Sequence, residues 1–131
     1  MLNTAFAIAY VRRFITTNVL TIIVETAVLF LLARYVFKKE KLTTRQLLFA
    51  GIFASFATIP YVWFVFPNVT SWPRETSLMF SESFVTVVEA IWYRFALKTS
   101  WKASFAISII CNLASYLFDI ILRTNGIWLY W

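Results

Sequence analysis

Two glutamates stand where every neighbour is apolar. Glu25 lies inside LTIIVETAVLFL (20–31) and Glu89 inside FVTVVEAIWY (84–93). A carboxylate in such a setting can take up and release a proton, hold a cation or pair with an ammonium group. Keeping it charged in hydrocarbon costs at least ~2.5–3.5 kcal/mol by insertion scales, so acids placed there are rare and tend to be functional. Other polar residues recur around them at helical spacing. Residues three, four and seven apart share one face of a helix. Thr17, Thr21 and Glu25 form one such line, and Glu82, Thr86, Glu89 and Tyr93 form another. Ser104, Ser108, Asn112, Ser115, Asp119 and Arg123 form a third, and Gly51, Ser55 and Thr58 make a small, weakly polar face. If these lines meet, Glu25, Glu89, Glu82, Asn112, Ser115, Asp119, Thr21 and Thr86 are the residues expected to bind an ion or solute. Asp119 also stands one turn before Arg123, where the two can pair.

The elements that must position these residues are read from the charge pattern. Of 131 residues, 61% are hydrophobic and 14% charged, against roughly 25% charged in a soluble domain. Charge that sparse cannot cover a soluble surface. The apolar residues come in long blocks: only Glu25 is charged between Arg13 and Arg34, nothing is charged from Leu47 to Phe66, and only Asp119 from Ala103 to Leu122. About 20 apolar residues span the hydrocarbon core as a helix. The expected fold is therefore an all-α, polytopic membrane protein of one domain. Four transmembrane helices, at about 14–33, 47–66, 76–97 and 103–122, form a bundle of two tandem hairpins. Residues 1–13 and 123–131 are expected at the membrane interface. Pro60 removes a backbone donor and is expected to kink the second span. KTSWK (98–102) is so short that the last two spans must form an antiparallel hairpin.

An even number of spans places both termini on one side. Arg12, Arg13, Arg74 and Arg123 fall on that side, while Arg34, Lys38, Lys39, Lys41, Arg45, Arg94, Lys98 and Lys102 fall on the other. The basic excess puts loops 34–46 and 97–102 in the cytoplasm and both termini outside the cell membrane. Tyr10, Tyr35, Trp72, Trp101 and the terminal IWLYW (127–131) fit interfacial aromatic belts.

The two halves resemble each other. IIVETAV (22–28) aligns with TVVEAIW (86–92), which pairs Glu25 with Glu89. ASFAT (54–58) aligns with CNLAS (111–115), which pairs Ser55 with Asn112 and Thr58 with Ser115. Two consecutive hairpins make a parallel repeat, related by a pseudo-two-fold axis along the membrane normal. The two glutamates then stand at equal depth across that axis. The VE at 88–89, followed by NLAS at 112–115 in the last span, resembles small four-helix integral membrane proteins found widely in prokaryotes. The resemblance covers the two hairpins and implies a fold but no activity. The first half departs from it, with SFAT (55–58) where the second half has NLAS.

Much chemistry is excluded. The chain has no histidine, which removes Ser-His triads, His relays, His-ligated haem and the usual zinc sites. One cysteine, Cys111, cannot make an intrachain disulfide or an iron–sulfur site. No glycine loop is present to cradle phosphate. Hence no metal, no cofactor and no enzymatic role are expected. The net charge of +6 sits at block edges, as flanking membrane charges do, and no nucleic-acid partner is expected. The expected partners are the lipid bilayer and further membrane subunits, most simply copies of the chain itself. Two functions remain: binding or moving a proton, cation or small cationic solute near the midplane, or serving as a non-catalytic accessory or scaffold subunit of a larger complex.

The orientation has a direct check. In a Cys111→Ser background, a cysteine replacing Thr70 is expected to react with a membrane-impermeant maleimide on intact cells. One replacing Thr43 is expected to react only after the cells are opened. The reverse pattern inverts the topology.

Overall fold

The computed structural model describes residues 3–126, so the terminal aromatic cluster 127–131 lies outside the described residues. Helix α1 (Thr4–Leu31) opens on Asn3, whose side-chain oxygen accepts from the Ala5 N–H at 3.1 Å. No glycine or proline interrupts it, so residues 4–13, expected at the interface, continue the same rod. It widens into a π-turn over Leu32–Val36 and ends at Lys38, whose φ of 48° reverses the chain. Helix α2 (Thr44–Pro60) starts with a reciprocal cap: Thr43 accepts from the Gln46 N–H, and the Gln46 side chain accepts from the Thr43 N–H.

Pro60 does not stop the second rod. A proline offers no N–H to the carbonyl four residues back and crowds it. Its orphaned carbonyl is that of Phe56, and the rod continues past it through a π-turn over Tyr61–Val65 and one further turn, α3 (Phe66–Val69), where Pro67 in turn offers no N–H to the Trp63 carbonyl. Within the π-turn the Trp63 carbonyl accepts from the Tyr10 hydroxyl at 2.7 Å. The rings of Tyr10 and Phe14 meet those of Trp63 and Phe64 edge-on, at 4.7–6.0 Å between centroids. The wide turn thus pins the first half of α1 to the end of the second rod. Helix α4 (Arg74–Ala96) ends at Lys98, again left-handed at φ 47°. Helix α5 (Trp101–Thr124) opens on Ser100, which accepts from the Ala103 N–H at 3.2 Å.

The four rods run up, down, up, down. Neighbours in the bundle are α1 with α2, α2 with α4, α4 with α5, and α5 with α1. The first helix of each hairpin therefore stands diagonally opposite the first helix of the other, the arrangement that two parallel repeats about one axis require.

Polar and apolar residues are distributed inside out. Ile23 on α1, Phe49 and Phe56 on α2, Met79 and Ile91 on α4, and Leu113 and Ile121 on α5 are all exposed. Glu25, Ser55, Thr58, Glu89, Ser104 and Ser108 are fully buried. Such a surface suits lipid. Three helical segments, Thr4–Val36, Thr44–Val69 and Trp101–Thr124, are long and apolar enough to cross a membrane. Helix α4 is long enough, but its five charged side chains and its five Ser and Thr leave it less apolar than the other three.

The two ends of the interior differ. Toward the 38–43 and 97–100 turns the bundle closes on Leu29, Ala33, Leu47, Ala50, Tyr93, Leu97, Ile107 and Cys111, all buried in one apolar cluster. There α1 and α2 come into close contact at Gly51, where an added Cβ would come within 2.6 Å of Thr26 Oγ1 and 3.0 Å of Thr26 Cα. Gly51→Ala is expected to lower stability by about 1–3 kcal/mol, as overpacking does. Thermal unfolding in detergent measures it, and Thr26→Gly in the same chain is expected to restore part of the loss. An unchanged midpoint for Gly51→Ala means that the helices are not in this contact.

Candidate functional site

The interior half nearest the termini holds a cavity of about 160 Å³. Its floor is the pair Glu25 and Glu89, each 1% exposed, with Thr58 between them on α2. Its walls rise through Thr17 and Thr21 on α1, Ile59, Val62 and Trp63 on the second rod, Val85 on α4, and Tyr116 on α5. Glu82 and Asp119 stand at the mouth. Arg123 reaches Asp119 from the rim, Nε to Oδ2 at 2.9 Å, the pairing its spacing anticipates.

Helices α2 and α5 hold the glutamates through residues three apart on one face of each. Glu25 accepts from the Ser55 hydroxyl at 2.6 Å and from the Ser115 hydroxyl at 2.8 Å. Glu89 accepts from the Asn112 amide at 2.6 Å and from the Thr58 hydroxyl at 3.2 Å. The amide orientation of Asn112 is fixed by the same atoms, since its nitrogen also donates to the Ser108 carbonyl at 2.9 Å. In each half the glutamate takes one partner from its own hairpin and one from the other. Glu25 with Ser55 corresponds to Glu89 with Asn112, and Glu25 with Ser115 corresponds to Glu89 with Thr58. The contacts follow the alignment of the two halves residue for residue.

The two carboxylates are not served alike, although neither has all its hydroxyls to itself: Ser115, 2.8 Å from Glu25, is also 3.0 Å from the Asn112 carbonyl. Each hydroxyl has one hydrogen to give. Ser55 has a far better acceptor in Glu25 than in the Gly51 carbonyl at 3.3 Å. Thr58, in contrast, is 3.1 Å from the Ala54 carbonyl and 3.3 Å from that of Ser55, as near as it is to Glu89. Glu89 Oε1 therefore shares its only hydroxyl with the backbone and keeps accepting capacity for a further donor or cation.

Of the residues expected at the site, Glu25, Glu89, Glu82, Asn112, Ser115, Asp119 and Thr21 line this cavity. Thr86 does not. Its backbone carbonyl accepts from the Ser108 hydroxyl at 2.9 Å and so joins α4 to α5. Sequence reasoning missed Ser55 and Thr58, which hold the carboxylates from α2. The signal was present: the alignment of the halves pairs them with Asn112 and Ser115. Among the described residues no group of three or more His, Cys, Asp or Glu side chains is arranged to hold a metal ion. What the arrangement can do is receive positive charge. No family model, no curated protein and no solved structure matches the chain, so a functional reading rests on this geometry.

The cradle can be measured. Ser55→Ala is expected to cost about 1 kcal/mol, typical of one hydrogen bond and near the upper part of the range in membrane bundles. In a double-mutant cycle with Glu25→Gln, unfolding in detergent is expected to give a coupling of about 0.5–1.5 kcal/mol. Additive effects mean that Ser55 does not support Glu25.

Proposed function

We propose that the chain is a four-span protein of the cell membrane whose interior carboxylates bind positive charge, as a proton, an inorganic cation or a small cationic solute, in the course of moving it across the bilayer. The observation that carries this reading is the make-up of the cavity wall. Four of the chain's six acidic residues, Glu25, Glu82, Glu89 and Asp119, line it, and none of its twelve Lys and Arg does. A site whose polar wall is acids, hydroxyls and an amide, with a single basic group, Arg123, held against Asp119 at the rim, attracts cations and repels anions.

In this reading α4 is the fourth span. It packs between α2 and α5, and Met79, Val87, Ile91 and Phe95 form an exposed apolar outer face. Glu89 turns inward, Glu82 lines the cavity, and its remaining charges lie in its first and last turns. With loops 34–46 and 97–102 in the cytoplasm, the cavity mouth faces outward and the apolar cluster around Tyr93 and Leu97 closes the cytoplasmic side. Transport then requires that cluster to part, and copies of the chain packed side by side would support the movement. The same closure favours a second reading, a non-catalytic accessory subunit that uses the polar interior to hold its own bundle together.

Reconstituted protein separates the two. Proteoliposomes are expected to show cation or proton flux, and Glu89→Gln to reduce it at least ~10-fold, the scale of a lost charge-assisted contact. Glu25→Gln is expected to act in the same direction. A protein that is inert alone and copurifies with a fixed partner overturns transport and leaves the accessory role.

A further inference from the structure

A second cavity, of about 260 Å³, lies between α2 and α4 on the flank of the bundle. Its wall is apolar and aromatic: Phe53, Ala57, Val88, Trp92 and Phe95 contribute to it. The residue it shares with the polar cavity is Glu89, and no other residue lines both. The Phe53 and Trp92 rings stand 4.5 Å apart, and the Trp92 indole N–H is already given to the Ala50 carbonyl at 2.9 Å. The ring therefore offers its apolar surface and no donor. Phe53 and Phe95 are exposed on the flank that lipid would cover.

The fold does not require this aromatic seam. By the alignment of the two halves, Phe53, Trp92 and Phe95 correspond to Ile110, Val28 and Leu31 on the α1–α5 side. The same architecture is thus built with aliphatic residues beside Glu25 and with aromatic ones beside Glu89. The aromatic side is also the one whose carboxylate keeps accepting capacity at Oε1. Aromatic faces attract cations, most strongly where water is excluded, and favour flat or bulky apolar bodies by area.

We infer that the solute is an organic cation with an apolar body, and that it reaches Glu89 sideways from the lipid, through the groove between α2 and α4. This inference rests on the cation-binding reading of the polar cavity and names the class of cation. Such a molecule partitions into the bilayer with its charge near the headgroups. It gains contact area from Phe53, Trp92 and Phe95, and its cationic centre meets Glu89 at the groove floor. A small hydrated cation gains nothing from the aromatic wall and enters by the mouth at Glu82 and Asp119.

Binding of tetraphenylphosphonium to the full chain in lipid nanodiscs, measured by equilibrium dialysis beside tetramethylammonium, tests this. Wild type is expected to bind tetraphenylphosphonium saturably, and Glu89→Gln to weaken it at least ~10-fold. Ala57→Phe, which fills the groove, is expected to weaken tetraphenylphosphonium by a similar factor while leaving tetramethylammonium binding and proton flux unchanged. If that variant does not fold, Phe95→Ala, which removes an exposed ring, is expected to weaken tetraphenylphosphonium selectively. Failure of wild type to bind tetraphenylphosphonium, with Glu89-dependent flux of small cations intact, overturns the inference and leaves the cavity reading standing. So does loss on Glu89→Gln with no effect of filling the groove, which makes the groove a seat for acyl chains. Absence of both flux and cation binding overturns the cavity reading itself.

Discussion

A carboxylate shut inside an apolar bundle must be solvated by the protein, because water cannot do it. That requirement organises this structure. Glu25 and Glu89 stand on diagonally opposite helices, and neither α1 with α4 nor α2 with α5 is a main packing pair. Four side chains on the two intervening helices reach them instead: Ser55 and Thr58 on α2, Asn112 and Ser115 on α5. Residues three apart on one helix face diverge just enough to serve two different neighbours. Each carboxylate thereby ties three helices together, and the pair ties all four. The polar network sets the register of the bundle, while the apolar exterior carries no such positional information.

The same requirement explains the division of the interior. Around and beyond the glutamates, toward the termini, the walls combine acids, hydroxyls and an amide with Ile59, Val62, Trp63 and Val85, and a cavity persists between them. On the opposite side Tyr93, Leu29, Leu97 and Ile107 close the space with apolar atoms. Small residues make the closure tight: Ala33, Ala50 and Gly51 let backbones approach, and Gly51 rests directly on Thr26. Apolar packing has no directional preference, so a bundle without hydroxyl lines would fill both ends equally. The cavity is confined to the end where the polar lines converge.

Much of the fold was legible because its signals are local. Block lengths between charges located the rod ends to within a few residues, except the start of α1, which lies ten residues before the expected one, and spacing by three and four put polar residues in lines along the helices. Asp119 and Arg123 pair as their separation of four implies. What local spacing does not contain is direction about the helix axis relative to neighbours. Thr86 shares a stripe with Glu82 and Glu89 yet does not line the cavity, because three- and four-residue steps drift around a helix of 3.6 residues per turn. Ser55 and Thr58 looked like packing residues on a weakly polar face, and only their alignment with Asn112 and Ser115 marked them as carboxylate partners. Pro60 was legible as a disturbance, but the Trp63 carbonyl that Pro67 leaves without a helical partner finds its donor in Tyr10, 53 residues away, which local spacing does not contain. The third rod shows the limit of composition. Helix α4 carries Glu89 inward, where hydropathy averaging counts it as if it were on the outer face.

The near-symmetry of the halves makes their differences informative. Were both glutamates present only to bind the bundle together, the same partners would serve both. Glu25 instead receives two hydroxyl contacts, each shorter than that hydroxyl's distance to a backbone carbonyl, whereas Glu89 receives one amide and one hydroxyl that is no nearer to it than to two backbone carbonyls. Thr58 cannot bond both the backbone and Glu89 with a single hydrogen, so one acceptor is underserved at any instant. An underserved buried carboxylate oxygen is costly, at about 1–3 kcal/mol or more for a charged group. In the proposed role, a proton, an ammonium group or another cation that arrives removes that cost, and the cost returns when the cation leaves. Glu25, nearer to both of its hydroxyls than either is to a backbone carbonyl, is the better served of the pair. Two residues of one type, at equivalent places in a repeated fold, are thus given different surroundings by the side chains beside them.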